Sequence, residues 1–435
     1  MDWKKYYDSR KVSAAEAVAK IRSNERLLVG HAVGEPSVLL EEMVAHAKDY
    51  KNVEIVHMVG MGQMAYCQPG MEEHFWHNSL FVGGLGRKAI AEGRGDYTPV
   101  HFSNIPGLFS DGYLPVDTFM LQVSPPDKNG YCSLGVSCDY GYRAVRCSNQ
   151  VIAQVNSCMP RTHGDCFVHV SEIDYFVEAD RPIIELFPAE LTDVEKAIGA
   201  NCGSLINDGD TLQLGIGSLP DAVLLTLGNR HDLGIHSEMI SDAAAELMEA
   251  GVINNKKKTL HPYKAVVSFL MGTKKLYDFV DDNPGIAMMP VDYVNNPYVI
   301  AQNDNLISIN SCVQVDLMGQ VCSESVGLRQ ISAPGGQVDF VRGANMSKGG
   351  KSIIAIPSTA QGGKASKIVP FLDQGAAVTT SRADVAYIVT EYGIAYLRGK
   401  TLRQRAIELI NIAHPDFRPA LIEEWEKRFH AKWAK

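Results

Sequence analysis

Gly234-Ile235-His236-Ser237-Glu238-Met239-Ile240-Ser241-Asp242 sets a lone carboxylate, Glu238, between a short apolar strand and the start of a helix. In α/β proteins such junctions expose side chains at the carboxyl edge of a sheet. Upstream, Gln213-Leu214-Gly215-Ile216-Gly217-Ser218-Leu219-Pro220-Asp221 reads as a second strand-to-helix turn. Its glycines leave backbone N–H groups open to an oxyanion or a phosphate. The two turns together suggest acyl chemistry on a carboxylate.

Working outward, the same alternation of strand and helix fills the chain. Arg26–Gly30, Val53–Val59, Val116–Val123 and Gln150–Val155 read as strands, Ser13-Ala14-Ala15-Glu16 as a capping box, and Pro36 to Ala47 as a helix. The run Asp180–Pro188 is bounded by prolines and lacks either period, and Thr192-Asp193-Val194-Glu195 then opens a new helix. Strands follow again at Thr211–Leu214, Leu233–His236, Ala265–Leu270 and Leu306–Ile309. Val338 to Thr390 reads as strands and turns, and Thr401 to Ala413 as a helix. The order predicts an α/β protein of two similar domains with mostly parallel sheets, 1–187 and 188–435, the second carrying Glu238.

Composition narrows the function. The 435 residues are 46% hydrophobic with a net charge of −9, enough for two or three domain-sized cores. Positive residues are scattered, whereas phosphate-backbone binding needs a concentrated basic face, so a nucleic-acid partner is not expected. No window approaches the roughly 18 apolar residues of a membrane helix, and the N-terminus has no signal-peptide core. The nine cysteines include no C-x-x-C pair, which argues against a disulfide framework or zinc knuckle and for a reducing cytoplasm. They read as buried small hydrophobes. A G-x-S-x-G elbow is absent. Asn345 stands where a Walker A sequence ending Gly350-Lys351-Ser352 needs its first glycine, and the Gln213 turn lacks the third glycine of a dinucleotide fingerprint.

On these separated motifs the chain resembles the class I coenzyme A transferases, most closely the 4-hydroxybutyrate and butyrate CoA-transferase branch, over nearly its whole length. The resemblance implies two α/β domains with the active site between them. Glu238, in a Gly-x-His-x-Glu motif, is then the nucleophile that carries a glutamyl-CoA thioester. A first-turn acid favoured by the helix dipole is the competing reading. The resemblance also implies that Gln213, Leu214, Gly215, Ile216 and Gly217 bind CoA and supply part of the oxyanion hole, although Gly-x-Gly turns often merely connect elements.

Asn295, before Asn296-Pro297, takes the place of the side-chain oxyanion donor; a turn asparagine is the alternative. Gly336, in Gly335-Gly336-Gln337-Val338-Asp339-Phe340, becomes a CoA contact, with a ligand-free β-bulge as its alternative. Gln361 stands where many relatives have a lysine near the CoA phosphates, with Lys364 three residues later. Ser124-Pro125-Pro126-Asp127 matches a family loop that would line the acyl pocket, and Glu391 would support the catalytic glutamate or the pantetheine. The expected activity is acyl-CoA:carboxylate CoA transfer with 4-hydroxybutyrate, butyrate and acetate. An acyl-CoA hydrolase and a non-catalytic acyl-CoA-binding protein are the alternatives. No metal or resident cofactor is implied, since the CoA thioester is the substrate, and the family expectation is a homodimer or homotetramer.

Overall fold

The computed structural model describes residues 2–215 and 217–433. The chain forms two compact units, and it passes from the first to the second between Phe187 and Pro188. Two later segments, Glu238–Asp242 and Lys264–Val294, group with the first unit instead of with the second half of the sequence. The reason is local pairing, described below.

The first unit is built on a seven-stranded sheet whose strands run, edge to edge, Gly95–Tyr97, Phe75–Ser79, Val53–His57, Arg26–Val29, Thr118–Val123, Gln150–Val155 and Tyr175–Glu178. Every pairing in it is parallel. Thr118–Val123 is buried at every position, which is why Phe119, Met120 and Leu121 follow one another without polar alternation. Leu27, Val29, Ile55, Met120 and Ile152 join Leu39 and Met43 of the helix Ser37–Ala45 in one core. Strand order reverses between Arg26–Val29 and Thr118–Val123, so the loops leaving those two strands flank a crevice of the kind that holds ligands in open α/β sheets.

In the second unit six strands run Gly234–Ile235, Thr211–Leu214, Leu306–Ser311, Lys351–Ala355, Tyr387–Thr390 and Gly393–Tyr396. All pairings are parallel except the last, a hairpin. Helix Asp193–Gly203 lies on helix Ser218–Leu225 so closely that a Cβ on Gly199 would meet the Ala222 carbonyl at 2.5 Å. Capping boxes form at both of these expected helix starts, Ser13 with Glu16 and Thr192 with Glu195.

Two expectations need correction. Gln337–Met346 is a helix with Val338, Phe340 and Val341 buried, not a strand. Its β-branched residues fall on one buried helical face, and that tertiary burial outweighs their weaker helix propensity. The single strand expected over Ala265–Leu270 is broken into Ala265–Val267 and Phe269–Leu270, which pair with Ile286–Met288 and Met239–Ile240 respectively. The break falls at Ser268, whose carbonyl accepts from the Cys138 and Asp139 amides instead of continuing a ladder.

Candidate active site

In the first unit, Glu238 does not lead straight from a strand into a helix as its sequence suggests. It precedes a second two-residue strand, Met239–Ile240, paired in parallel with Phe269–Leu270, and only then does helix Asp242–Glu249 begin. The Glu238 carbonyl accepts from the amides of Ser268 (2.9 Å) and Phe269 (3.2 Å). Phe269 in turn sets its ring edge-on against His31, with centroids 4.7 Å apart. His31 leaves the central strand at the switch point, is buried, and its Nδ1 lies 3.1 Å from Asp139 Oδ2, which also accepts from the Ser137 hydroxyl at 2.5 Å. The backbone of Glu238 is thus tied, through residues 268 and 269, to the loops at the carboxyl end of the sheet.

The Ser124–Asp127 loop leaves the same end of the sheet but uses its polar groups on itself. Asp127 Oδ1 accepts from the amides of Asn129 (2.8 Å) and Tyr131 (3.0 Å), and its other oxygen pairs with Arg161 at 3.3 Å. Partial burial pushes its carboxyl up, yet those amides and the guanidinium outweigh it and hold the pKa below the usual range.

In the second unit, the Gln213 turn is divided in character. The Gln213 side chain is buried and exchanges amide hydrogen bonds with Asn310 at 3.3 and 3.1 Å. Both backbone groups of Leu214 are taken by the Ser237 hydroxyl, at 3.2 Å from its N–H and 3.0 Å to its carbonyl. Gly215 and Gly217 differ from these: a Cβ on Gly215 would reach only Pro220, at 3.9 Å, and one on Gly217 would meet nothing within 4 Å. Gly217 has φ 100° and stands at the N-cap of helix Ser218–Leu225 without a side-chain cap. Ile216 lies outside the described residues.

Asn295 is fully buried, while its neighbour Asn296 caps helix Pro297–Ile300 by accepting from the Tyr298 amide at 3.0 Å. Asn295 itself stands in the turn between helices Val291–Val294 and Pro297–Ile300. At the double glycine the left-handed conformation falls on Gly335 (φ 51°), and Gly336 (φ −93°) is the N-cap of helix Gln337–Met346. Gly336 leads a helix and is no bulge. Gln361 and Lys364 both lie exposed in the turn joining Thr359–Ala360 to Ala365–Ser366. Glu391 accepts from the amide (2.9 Å) and hydroxyl (2.5 Å) of buried Ser358, which joins two motifs read separately in the sequence.

Sequence reasoning passed over His31, Asp139 and Phe269. A histidine following a glycine at the end of the first apolar strand was the one available sign. All nine cysteines are free thiols, and no group of three or more metal-ligating side chains occurs among the described residues. No described helix is long and apolar enough to cross a membrane.

Comparison with known proteins places these features in a family. Residues 1–188 match the model of the acetyl-CoA hydrolase/transferase N-terminal domain, and 272–425 that of its C-terminal domain. The chain is 63% identical to a 4-hydroxybutyrate coenzyme A transferase of Clostridium kluyveri, covering 99% of this chain and 100% of that one. It is 44% identical to a succinyl-CoA:cyclohexane-1-carboxylate CoA transferase of Geobacter metallireducens, over 97% and 96% of the two chains. Among solved structures, a 4-hydroxybutyrate CoA-transferase from Porphyromonas gingivalis superposes with a TM-score of 0.86 at 46% identity, over 98% of this chain and 100% of the other.

Proposed function

The chain belongs to the acetyl-CoA hydrolase/transferase family, and from that premise we propose that it works through a glutamyl-CoA thioester on Glu238 with 4-hydroxybutyrate as its preferred acid. It is an acyl-CoA:carboxylate CoA-transferase whose substrates are an acyl-CoA and a short-chain carboxylate. The observation that carries the proposal is a carboxylate in the Gly-x-His-x-Glu motif on a backbone tied to the carboxyl end of a parallel sheet.

In the proposed cycle a Glu238 oxygen attacks the thioester carbonyl, and the C–S bond breaks to give a mixed anhydride and CoA thiolate. The thiolate then attacks the glutamyl carbonyl, expelling the first carboxylate and leaving CoA on Glu238. An incoming carboxylate runs the two steps in reverse, so bonds and charge balance without ATP. Each step passes through an oxyanion. Asn295 and the amides of Gly215 and Gly217 are the donors proposed to stabilise it. Gly336 and Gln361 are proposed to contact CoA. The cytoplasm, with its reducing chemistry, suits nine free thiols, and a homodimer or homotetramer is the proposed assembly.

Incubation with 4-hydroxybutyryl-CoA alone, followed by borohydride, is expected to reduce a thioester at Glu238 with release of the free acid. Acceptor screening then ranks 4-hydroxybutyrate against butyrate and acetate. Catalytic release of free CoA without acceptor, at the rate seen with acetate, would overturn the transfer mechanism in favour of hydrolysis.

A further inference from the structure

The segment Glu238–Asp242 is only five residues long and its strand, Met239–Ile240, only two. A ladder that short holds its register weakly by itself. One end is secured by the Glu238 carbonyl on the Ser268 and Phe269 amides. The other end is secured by a side chain. Asp242 Oδ2 accepts from the Thr273 amide at 2.9 Å, and Oδ1 accepts from the Thr273 hydroxyl at 2.5 Å.

This contact is built closely. A Cβ on the adjacent Gly272 would lie 2.4 Å from Asp242 Oδ2, so the backbone at 272 can approach only because it lacks a side chain. The turn that Asp242 grips is anchored independently. The Gly272 carbonyl accepts from the Leu186 amide at 2.9 Å, and Thr273 caps helix Lys274–Val280. Tyr277 of that helix donates to the Ile184 carbonyl at 2.7 Å. A negatively charged acceptor holding two donors on a fixed turn is a stronger tether than the two-residue ladder beside it.

We propose that Asp242 is a positioning residue for Glu238: by holding both polar groups of Thr273 it fixes the far end of the Glu238–Asp242 segment, and with it the direction in which the Glu238 carboxylate is delivered. The proposal rests on the reading of Glu238 as nucleophile. Misplacement of a reacting group by about 1 Å costs roughly 10²-fold in rate, and freeing one end of so short a segment permits that.

The test measures the rate of thioester formation on Glu238 in rapid-mixing experiments with acyl-CoA, normalised to active sites counted by borohydride trapping, so that partly unfolded protein does not count. Asp242→Ala is expected to slow that step roughly 10²-fold and Thr273→Val roughly 10-fold, with the acyl-CoA KM changed less than about threefold. Thr273→Ser, which keeps the hydroxyl, restores the wild-type rate. Asp242→Ala combined with Thr273→Val is no slower than Asp242→Ala alone, because both remove one interaction. Should Asp242→Ala fail to fold, Thr273→Val against Thr273→Ser decides the matter. Wild-type rates in both single variants, or effects that multiply in the double variant, overturn the proposal while leaving Glu238 as nucleophile. A wild-type enzyme that turns over without any thioester on Glu238 overturns the nucleophile reading itself.

Discussion

The two units follow one building scheme and differ in the shifted titratable groups they enclose. The first encloses neutral imidazoles: His57 and His77 are fully enclosed beside Tyr66, with burial pushing their pKa values down to about 3 and about 4. The second encloses ammonium groups: Lys258 is 4% exposed and burial brings its pKa down to about 7, and burial likewise lowers that of Lys367. Their candidate turns differ too. The first unit carries its candidate in a side chain, Glu238, on a backbone tied at both ends, whereas in the second Gly215 and Gly217 leave space around the backbone and Gly335 and Gly336 are buried.

The largest effect is expected where the first unit is changed at its proposed reacting group. Glu238→Gln keeps the side chain's shape and one acceptor oxygen but removes the nucleophile, and turnover is expected to fall at least about 10⁴-fold with no thioester trapped. Activity within about tenfold of wild type would mean that the first unit does not supply the nucleophile. In the second unit, Asn295→Ala is expected to lower kcat by roughly 10²-fold to 10³-fold with little change in acyl-CoA affinity, as for one lost oxyanion donor. An effect confined to KM reassigns Asn295 to ground-state binding.

A sharper comparison lies inside the double glycine. Gly335 is left-handed (φ 51°) and Gly336 is not (φ −93°). Gly335→Ala is expected to cost about 1–2 kcal/mol of stability from backbone strain. Gly336→Ala carries no such strain, so weaker acyl-CoA binding in a protein of wild-type Tm identifies a ligand contact there. Unchanged binding leaves the turn purely structural.

Effects that leave activity near neutral pH unchanged are expected in the pH dependence of stability, and they separate the units. Unfolded His57 takes a proton near pH 6.5, but the folded imidazole resists until about 3. The unfolded state therefore binds more protons in that window, and stability is lost as pH falls from about 6.5. Lys258 behaves likewise between its free value of 10.5 and about 7, so stability falls as pH is lowered through that higher window. His57→Gln is expected to flatten the acid limb and Lys258→Met the alkaline one, each by up to about 1.4 kcal/mol per pH unit. Denaturant titrations from pH 4 to 10 check both, and a single shared limb would deny the contrast.

Much of this was legible before any coordinates. Gln150–Val155 and Thr211–Leu214 end where their apolar runs end, and the capping boxes at Ser13, Thr192 and Thr401 start the helices expected of them. Those signals are local: a side chain three residues from an amide, or a run of β-branched residues that must be buried. Where reading failed, the competing force came from far along the chain. Ser268 breaks a strand because Cys138 and Asp139 claim its carbonyl, and the β-branched residues from Val338 form a helix because one helical face meets a core.

The sequence by itself determined the alternation of strand and helix, the family, and the residue types able to exchange an acyl group, since each is written in patterns a few residues long. Only the tertiary structure decided that Glu238–Asp242 joins the first unit, that Asn296 and not Asn295 caps a helix, that Ser358 holds Glu391, and that Asp242 grips Thr273. Those outcomes depend on which distant backbone donors and acceptors meet once the sheets are assembled, and no spacing along the chain encodes that meeting. Buried polar groups must find partners, and it is the fold that chooses them.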